Sequence, residues 1–87
     1  MGKHRYPPLT PSETVTIVEA LGFCFKRQTG SHAFYEKPAS GNRQRAVVCI
    51  DMAKDVFWPE IIKSMIEQSK HTRVEFYGAT KKSAKKI

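Results

Sequence analysis

The sequence predicts an α+β domain of two layers, in which a three-stranded antiparallel sheet carries two helices on one face. Three observations lead to this fold class. Helical patterns precede and follow three short β-prone segments, the connections between segments are short, and 87 residues with 40% hydrophobic content suffice for one modest core. Short connections favour antiparallel neighbours, and one sheet face can cover the apolar sides of both helices.

The first helix is predicted to begin at Thr10, because Thr10 and Glu13 form a Thr-x-x-Glu capping box. Gly22 is its natural stop. Residues 1–9 contain two prolines and no periodicity, which predicts a flexible N-terminal arm. The apolar positions of this helix follow helical spacing: Thr14, Ile17, Val18 and Leu21.

The three strands are predicted at residues 23–28, 32–37 and 45–51. Turn residues 29–31 (Thr-Gly-Ser) connect the first two, and the loop 38–42 precedes the third. The sheet needs apolar side chains to pack under two helices, so Phe23, Phe25 and Phe34 are expected in the core rather than as stacking platforms for bases. Phe57 and Trp58, next to the second helix, are also expected in the core, with contact to a partner as the alternative.

The second helix is predicted over residues 58–69, with Pro59 in its first turn. A second capping-box pattern, Thr72 with Glu75, predicts a short final helical turn. Residues 78–87 are polar and cationic, which predicts a disordered tail and leaves residues 10–77 as the folded domain. The order of helix, three strands and helix is that of a double-stranded-RNA-binding-like (dsRBD-like) fold. The core face of the second helix is predicted to hold Ile61, Ile62, Met65 and Ile66.

The net charge of +7 lies mostly at the two ends of the chain, since residues 6–80 are nearly neutral. Within the domain, the basic residues concentrate around the predicted hairpin, where Glu36 is their only acidic neighbour. A polyanion is therefore expected to meet this region. The predicted RNA-binding residues are these cations together with the turn residues beside them: Lys26, Arg27, Gly30, Ser31, Lys37, Arg43 and Arg45.

Several classes of protein are disfavoured by composition. No apolar run approaches the roughly 18–20 residues of a membrane span, and no secretory signal is recognisable, so a cytoplasmic protein without a membrane partner is expected. Cys24 and Cys49 are predicted to be free thiols rather than a disulfide. Neither a metal nor another cofactor is predicted, because two cysteines without a histidine pair fall short of a zinc site.

The stretch Gly30-Ser31-His32 suggests chemistry on RNA. Cleavage by RNA's own 2′-hydroxyl needs a base, an acid and positive charge near the phosphate. A histidine titrates near pH 6.5 and can serve in proton transfer, while the hairpin cations can supply the charge. The second proton-transfer group stays open between Tyr35, a lysine and water. His4 and His71, in the arm and at a helix end, are not expected to take part.

The run LGFCFKRQTGSHAFYEK (21–37), followed by a basic loop, a strand and EIIKSMIEQSKHTRVEF (60–76), resembles the HicA (YcfA-like) mRNA interferase toxins over residues 10–77. The resemblance implies an endoribonuclease of a type II toxin–antitoxin pair that acts on mRNA, has His32 as its catalytic histidine and is inhibited by a HicB-like antitoxin. Where the family commonly has a histidine just after the third strand, this chain reads Ile50-Asp51-Met52.

Two other functions remain open from the sequence. The same fold could be a non-catalytic RNA-binding module that holds duplex RNA through phosphate contacts. However, double-stranded-RNA-binding domains place a lysine cluster at the start of the second helix, where this chain reads Trp58-Pro59-Glu60. A pure interaction protein, kept only to bind its partner, is the third possibility.

Overall fold

The computed structural model describes residues 5–87 and confirms the predicted α+β class. The three strands form one antiparallel sheet in the order β1-β2-β3. No helix in the described part of the chain is long and apolar enough to cross a membrane. The elements are α1 (Pro11–Ala20), β1 (Cys24–Thr29), β2 (His32–Lys37), β3 (Ala46–Asp51), α2 (Pro59–Ser69), α3 (Arg73–Gly78) and α4 (Lys81–Ala84).

The two faces of the sheet differ in what covers them. Alternate residues of β2 and β3 point into the core, where they meet the buried sides of α1 and α2. The residues between them lie on the opposite face, which we call the open face because they are half-buried or exposed. The core positions on the sheet are Ala33, Tyr35, Ala46, Val48 and Ile50.

Local signals place the helix ends as predicted. Thr10 and Glu13 form the capping box of α1, with the Glu13 amide 3.1 Å from Thr10 Oγ1 and the Thr10 amide 2.9 Å from Glu13 Oε1. Thr72 and Glu75 repeat this arrangement at α3. Gly22 follows α1 with φ +99°, a conformation that favours glycine.

Helix α2 departs from the predicted details in two respects. It ends without a glycine, because Lys70 itself takes the left-handed conformation (φ +63°) and its amide donates to the Glu67 carbonyl. Ile61 was predicted in the core but is 52% exposed, whereas Ile62, Met65 and Ile66 are buried as predicted. Ile61 lies in the first turn of the helix, at the margin of the apolar stripe.

The described part of the N-terminal arm is not free. Leu9 is fully buried and pairs with Phe57, whose amide donates to the Leu9 carbonyl at 2.7 Å. The Tyr77 hydroxyl donates to the Pro7 carbonyl at 2.7 Å. The prediction of a flexible arm is therefore wrong for residues 5–9, because the lack of local periodicity does not reveal pairing with a distant segment. Residues 1–4, including His4, lie outside the described residues.

The prediction of a disordered tail is also wrong, because the tail forms the short helix α4. Thr80 caps it by accepting a hydrogen bond from the Ser83 amide at 3.0 Å. Ser83 is buried, and its hydroxyl donates to the Tyr77 carbonyl at 2.5 Å. Composition predicted disorder from the lysines, but the buried Ser83 docks the turn onto the domain and Lys86 pairs with Glu13 at 3.8 Å.

His71, in the connection between α2 and α3, has a side chain that is largely shielded from solvent. Its side chain is only 7% exposed, Nδ1 lies 3.1 Å from Glu75 Oε1, and Nε2 has no hydrogen-bond partner among residues 5–87. Burial lowers the pKa of the His71 imidazole, and this outweighs the Glu75 hydrogen bond, which raises it; the charges of Arg43 and Lys37 lower it further. Because the Glu75 carboxylate only accepts hydrogen bonds, Nδ1 of the imidazole is the donor in this contact.

Stability should fall as the pH drops from about 7 to about 5. With the pKa of His71 lowered in the folded state, only the unfolded chain binds the proton just below pH ~6.5, so protonation favours unfolding. The pKa values of Glu36, Asp51 and Glu75 are also lowered. Protonation of these carboxylates reduces stability only below about pH 5, outside the range in which His71 titrates. Urea unfolding at several pH values gives the free energy of unfolding as a function of pH. Between pH ~5 and ~7, this free energy should change less steeply with pH for His71→Gln than for the wild type. The control Val74→Ala, at an exposed position, should show the same pH dependence of unfolding free energy as the wild type. The same pH dependence in all three proteins would contradict a lowered pKa of His71 in the folded state.

Candidate functional site

His32 stands at the start of β2, at the edge of the open face. The turn before it is made by Gly30 (φ +59°), and the Ser31 carbonyl accepts a hydrogen bond from the Met52 amide at 2.8 Å. In the sheet, His32 lies between Thr29 on β1 and Asp51 on β3. Its side chain is 54% exposed, so a ligand in solution can reach the imidazole.

A carboxylate lies beside this imidazole. Asp51 Oδ2 is 3.8 Å from His32 Nε2, while Asp51 Oδ1 accepts hydrogen bonds from the Ser31 hydroxyl (2.8 Å) and the Ala53 amide (3.1 Å). The Ser31 hydrogen bond is the main cause that holds the pKa of Asp51 below its usual value, followed by the Ala53 amide, with a smaller contribution from the charge of His32. Ser31 therefore fixes an ionised carboxylate next to His32.

Asp51 was not among the predicted site residues. It marked only a departure from the family pattern, although the pairing of the predicted strands indicates that it lies beside His32. In a three-stranded meander, the last residue of the third strand lies opposite the first residue of the second strand. His32 and Asp51 are such a pair.

Two cations lie near His32. Arg27 is on the open face, where its guanidinium carbon is 4.1 Å from the centroid of the Phe34 ring and its Nη1 donates to Thr29 Oγ1 at 3.0 Å. Thr29 is the strand partner of His32, so the residue that accepts this hydrogen bond lies next to His32 in the sheet. The second cation is Lys54, which follows β3 and lines the same cleft as His32. Lys54 was not predicted.

Lys26 and Arg45 lie at the other end of the open face. Both pair with Glu36, with Lys26 Nζ 3.5 Å from Glu36 Oε1. Hydrogen bonding to Arg45 is the main reason that the pKa of Glu36 is lowered. Glu36 is four residues from His32 along β2, or about 13 Å. These two predicted RNA-binding residues are thus partly neutralised and are not next to the histidine.

Lys37 and Arg43 are not brought to His32 either. Lys37 ends β2 on the face opposite to His32, and its side chain packs so close to Gly22 that a Cβ there would lie 3.3 Å from Lys37 Cε. Arg43 donates to the Lys70 carbonyl (2.9 Å) and pairs with Glu75 (3.2 Å). It therefore ties its loop to the α2–α3 connection. Of the predicted residues, the structure assembles Arg27, Gly30, Ser31 and His32.

A cleft of about 460 Å³ opens beside the imidazole. The Cys49 amide donates to Gln68 Oε1 at 3.3 Å, so the end of α2 lies next to β3. Ile61, in the first turn of α2, lines the cleft together with His32. Trp58 was expected in the core, but it is 58% exposed and forms part of the cleft wall. The cleft is lined by His32, Asp51 and Lys54 together with Val56, Trp58 and Ile61.

The other expectations for aromatic and sulfur-containing residues have mixed outcomes. Phe23 and Phe57 are buried as expected. Phe25 is 56% exposed because it lies on β1, an edge strand whose residues are all exposed. Phe34 lies on the open face because it alternates with the buried Ala33 and Tyr35 along β2. Both cysteines are free thiols, as predicted. Within residues 5–87, no three histidine, cysteine, aspartate or glutamate side chains come together as a metal-binding group.

Comparison with known protein families supports the resemblance seen in the sequence. The family model of the HicA toxin of bacterial toxin–antitoxin systems matches residues 11–70, from the start of α1 to the end of α2. Searches of curated proteins and of solved structures found no match to this chain. Because the family match covers more than half of the 87 residues, the chain belongs to the HicA family of toxins, and this membership implies a cognate antitoxin.

Proposed function

We propose that this toxin is an endoribonuclease that cleaves mRNA in the cytoplasm, with His32 as its catalytic proton-transfer group. The observation that supports it is the open-face cluster, in which an exposed imidazole lies 3.8 Å from an ionised carboxylate and near Arg27 and Lys54. An accessible imidazole next to fixed charges is what general acid–base catalysis on a phosphodiester requires.

The reaction is an internal transesterification. His32 takes the proton from the 2′-hydroxyl, whose oxygen attacks the adjacent phosphorus while the bond from phosphorus to the 5′-oxygen breaks. The products are a 2′,3′-cyclic phosphate and a 5′-hydroxyl. The imidazolium then releases its proton to solvent water, and the group that protonated the 5′-oxygen regains a proton from solvent. Arg27 and Lys54 stabilise the negative charge that accumulates on the phosphate oxygens in the transition state.

The proton for the departing 5′-oxygen comes from Lys54 or from water. Tyr35 does not supply it, because its ring lies on the core side of the sheet and His32 lies on the open face. Burial also raises the pKa of the Tyr35 hydroxyl. No step requires a metal ion.

Asp51 is a positioning residue in this mechanism. Its carboxylate faces Nε2, orients the imidazole ring and stabilises the imidazolium that forms during proton transfer. Ser31 and the Ala53 amide keep the carboxylate in place. The cognate antitoxin, a HicB-like protein, inhibits by covering His32 and the hairpin, since occlusion of a small exposed site is sufficient to stop access.

His32→Ala should abolish cleavage of single-stranded RNA in the presence of EDTA, because the variant lacks the group that accepts the 2′-hydroxyl proton. The matched control is His71→Gln, which removes the other described histidine and should cleave like the wild type at neutral pH. Circular dichroism should show that both variants are folded. Cleavage by His32→Ala at the wild-type rate would contradict the assignment. Retention of intact duplex RNA in a gel shift, without cleavage by any of the proteins, would instead favour the non-catalytic binding module.

Asp51→Asn should lower kcat by about 10- to 100-fold with little change in KM, since the loss of orientation and charge affects proton transfer rather than binding. Ser31→Ala leaves the carboxylate but removes the hydrogen bond that fixes it, so its kcat should lie between those of Asp51→Asn and the wild type. Steady-state kinetics on one RNA substrate separates the two parameters. A raised KM with unchanged kcat would place Asp51 in binding and not in positioning.

A further inference from the structure

Trp58 has a large apolar side chain that is not part of the buried core. It occupies the N-cap position of α2, but its side chain makes no capping hydrogen bond, and 58% of the residue is exposed. Trp58 shares the cleft lining with a second exposed apolar residue, Ile61. Contiguous exposed apolar surface marks binding sites, and tryptophan is among the residues most enriched there. The position of Trp58 on the wall of the His32 cleft indicates what this surface binds.

The cleft combines an apolar wall with a charged edge. Trp58, Val56 and Ile61 supply apolar lining, and Lys54 and His32 supply polar lining. Asp51 also lines the cleft, but its carboxylate is already engaged by Ser31, the Ala53 amide and His32. A volume of about 460 Å³ is in the range of sites that take small ligands or parts of larger ones.

We propose that Trp58 is a stacking platform for one unpaired nucleobase of the RNA strand, next to the phosphate that His32 and Lys54 meet. The inference rests on the proposed function and specifies its substrate as single-stranded RNA. An indole face stacks on any base, so the site tolerates different sequences, and a base held in a duplex does not reach it. A ribose phosphate at His32 brings its adjoining base against the wall that Trp58 forms.

The charges near the cleft favour a nucleotide over an apolar peptide. Lys54 lines it, Arg27 lies near His32 on the same face, and the only carboxylate in the lining has its three partners. A segment of a protein partner is the alternative occupant, and the test is designed to recognise it.

Trp58 is the only tryptophan of the chain, so its fluorescence reports on this cleft alone. The full-length His32→Ala protein is titrated with a single-stranded RNA oligonucleotide carrying 2′-O-methyl groups, which block cleavage. Stacking should quench the emission. The abasic ribose-phosphate strand of the same length and the fully paired duplex should leave the emission nearly unchanged at concentrations where they bind. Equal quenching by the abasic strand, or none by the base-containing strand, overturns the proposal.

Variants then measure how much the indole contributes. Trp58→Ala should weaken binding of the single strand about 5- to 150-fold, the range expected for one base on an aromatic platform, while Trp58→Phe should retain most of the affinity. The control is Phe25→Ala, an aromatic of similar exposure (56%) on β1 and outside the cleft, which should bind like the wild type. Because Trp58 makes no capping bond, Trp58→Ala is expected to fold.

Different results would contradict the nuclease proposal and the nucleobase site. If the wild type quenches with RNA but cleaves none, the nuclease proposal is wrong and the nucleobase site stands. If Trp58→Ala binds and cleaves like the wild type and RNA does not quench the emission, the nuclease proposal stands. In that case the nucleobase site is wrong, and the exposed tryptophan belongs to a protein interface.

Discussion

The register between β2 and β3 places His32 opposite Asp51, and the candidate site depends on this pairing. It follows from alternation, because Ala33 and Tyr35 face the core together with Val48 and Ile50. Every second residue of both strands is therefore turned to the open face. A slip of one residue would bring the imidazole under the helices and expose the core residues, so the buried face of the sheet keeps the histidine accessible.

The distribution of helices leaves the site open on one side. Both long helices pack on the core face, and Ile61 in the first turn of α2 lines the cleft together with His32. The pairing of Leu9 with Phe57 fixes the chain immediately before Trp58. Thus a residue far away in sequence, within a segment that has no secondary-structure pattern, helps to hold the wall of the cleft.

The sequence was informative where a signal is local. Both capping boxes, the Gly22 stop and the three β-prone segments need only neighbouring residues, and the structure has all of them. Exposure was harder to predict, because it depends on which strand forms the edge and where α2 lies. Phe25, Trp58 and Ile61 are as hydrophobic as core residues, yet they lie outside the region that the helices cover.

For the site, the motif with His32 was visible in the sequence, whereas its partner required the strand register. Asp51 is 19 positions away and belongs to no motif with the histidine. The concentration of basic residues around the hairpin did not identify the residues near His32. Arg43 binds the α2–α3 connection, and Lys26 and Arg45 pair with Glu36. Charge density along the chain does not distinguish a cation that faces a ligand from one that is used within the fold.

The chemical groups at the ends of the RNA fragments depend on the mechanism of cleavage. Wild-type protein is incubated in EDTA with an RNA strand, and the ends of the fragments are identified by mass spectrometry. Proton transfer by His32 to and from the RNA's own 2′-hydroxyl predicts fragments ending in a 2′,3′-cyclic phosphate and beginning with a 5′-hydroxyl, with no cleavage where the 2′-hydroxyl is replaced by hydrogen. Fragments with 3′-hydroxyl and 5′-phosphate ends, or cleavage at a 2′-deoxy position, would contradict it.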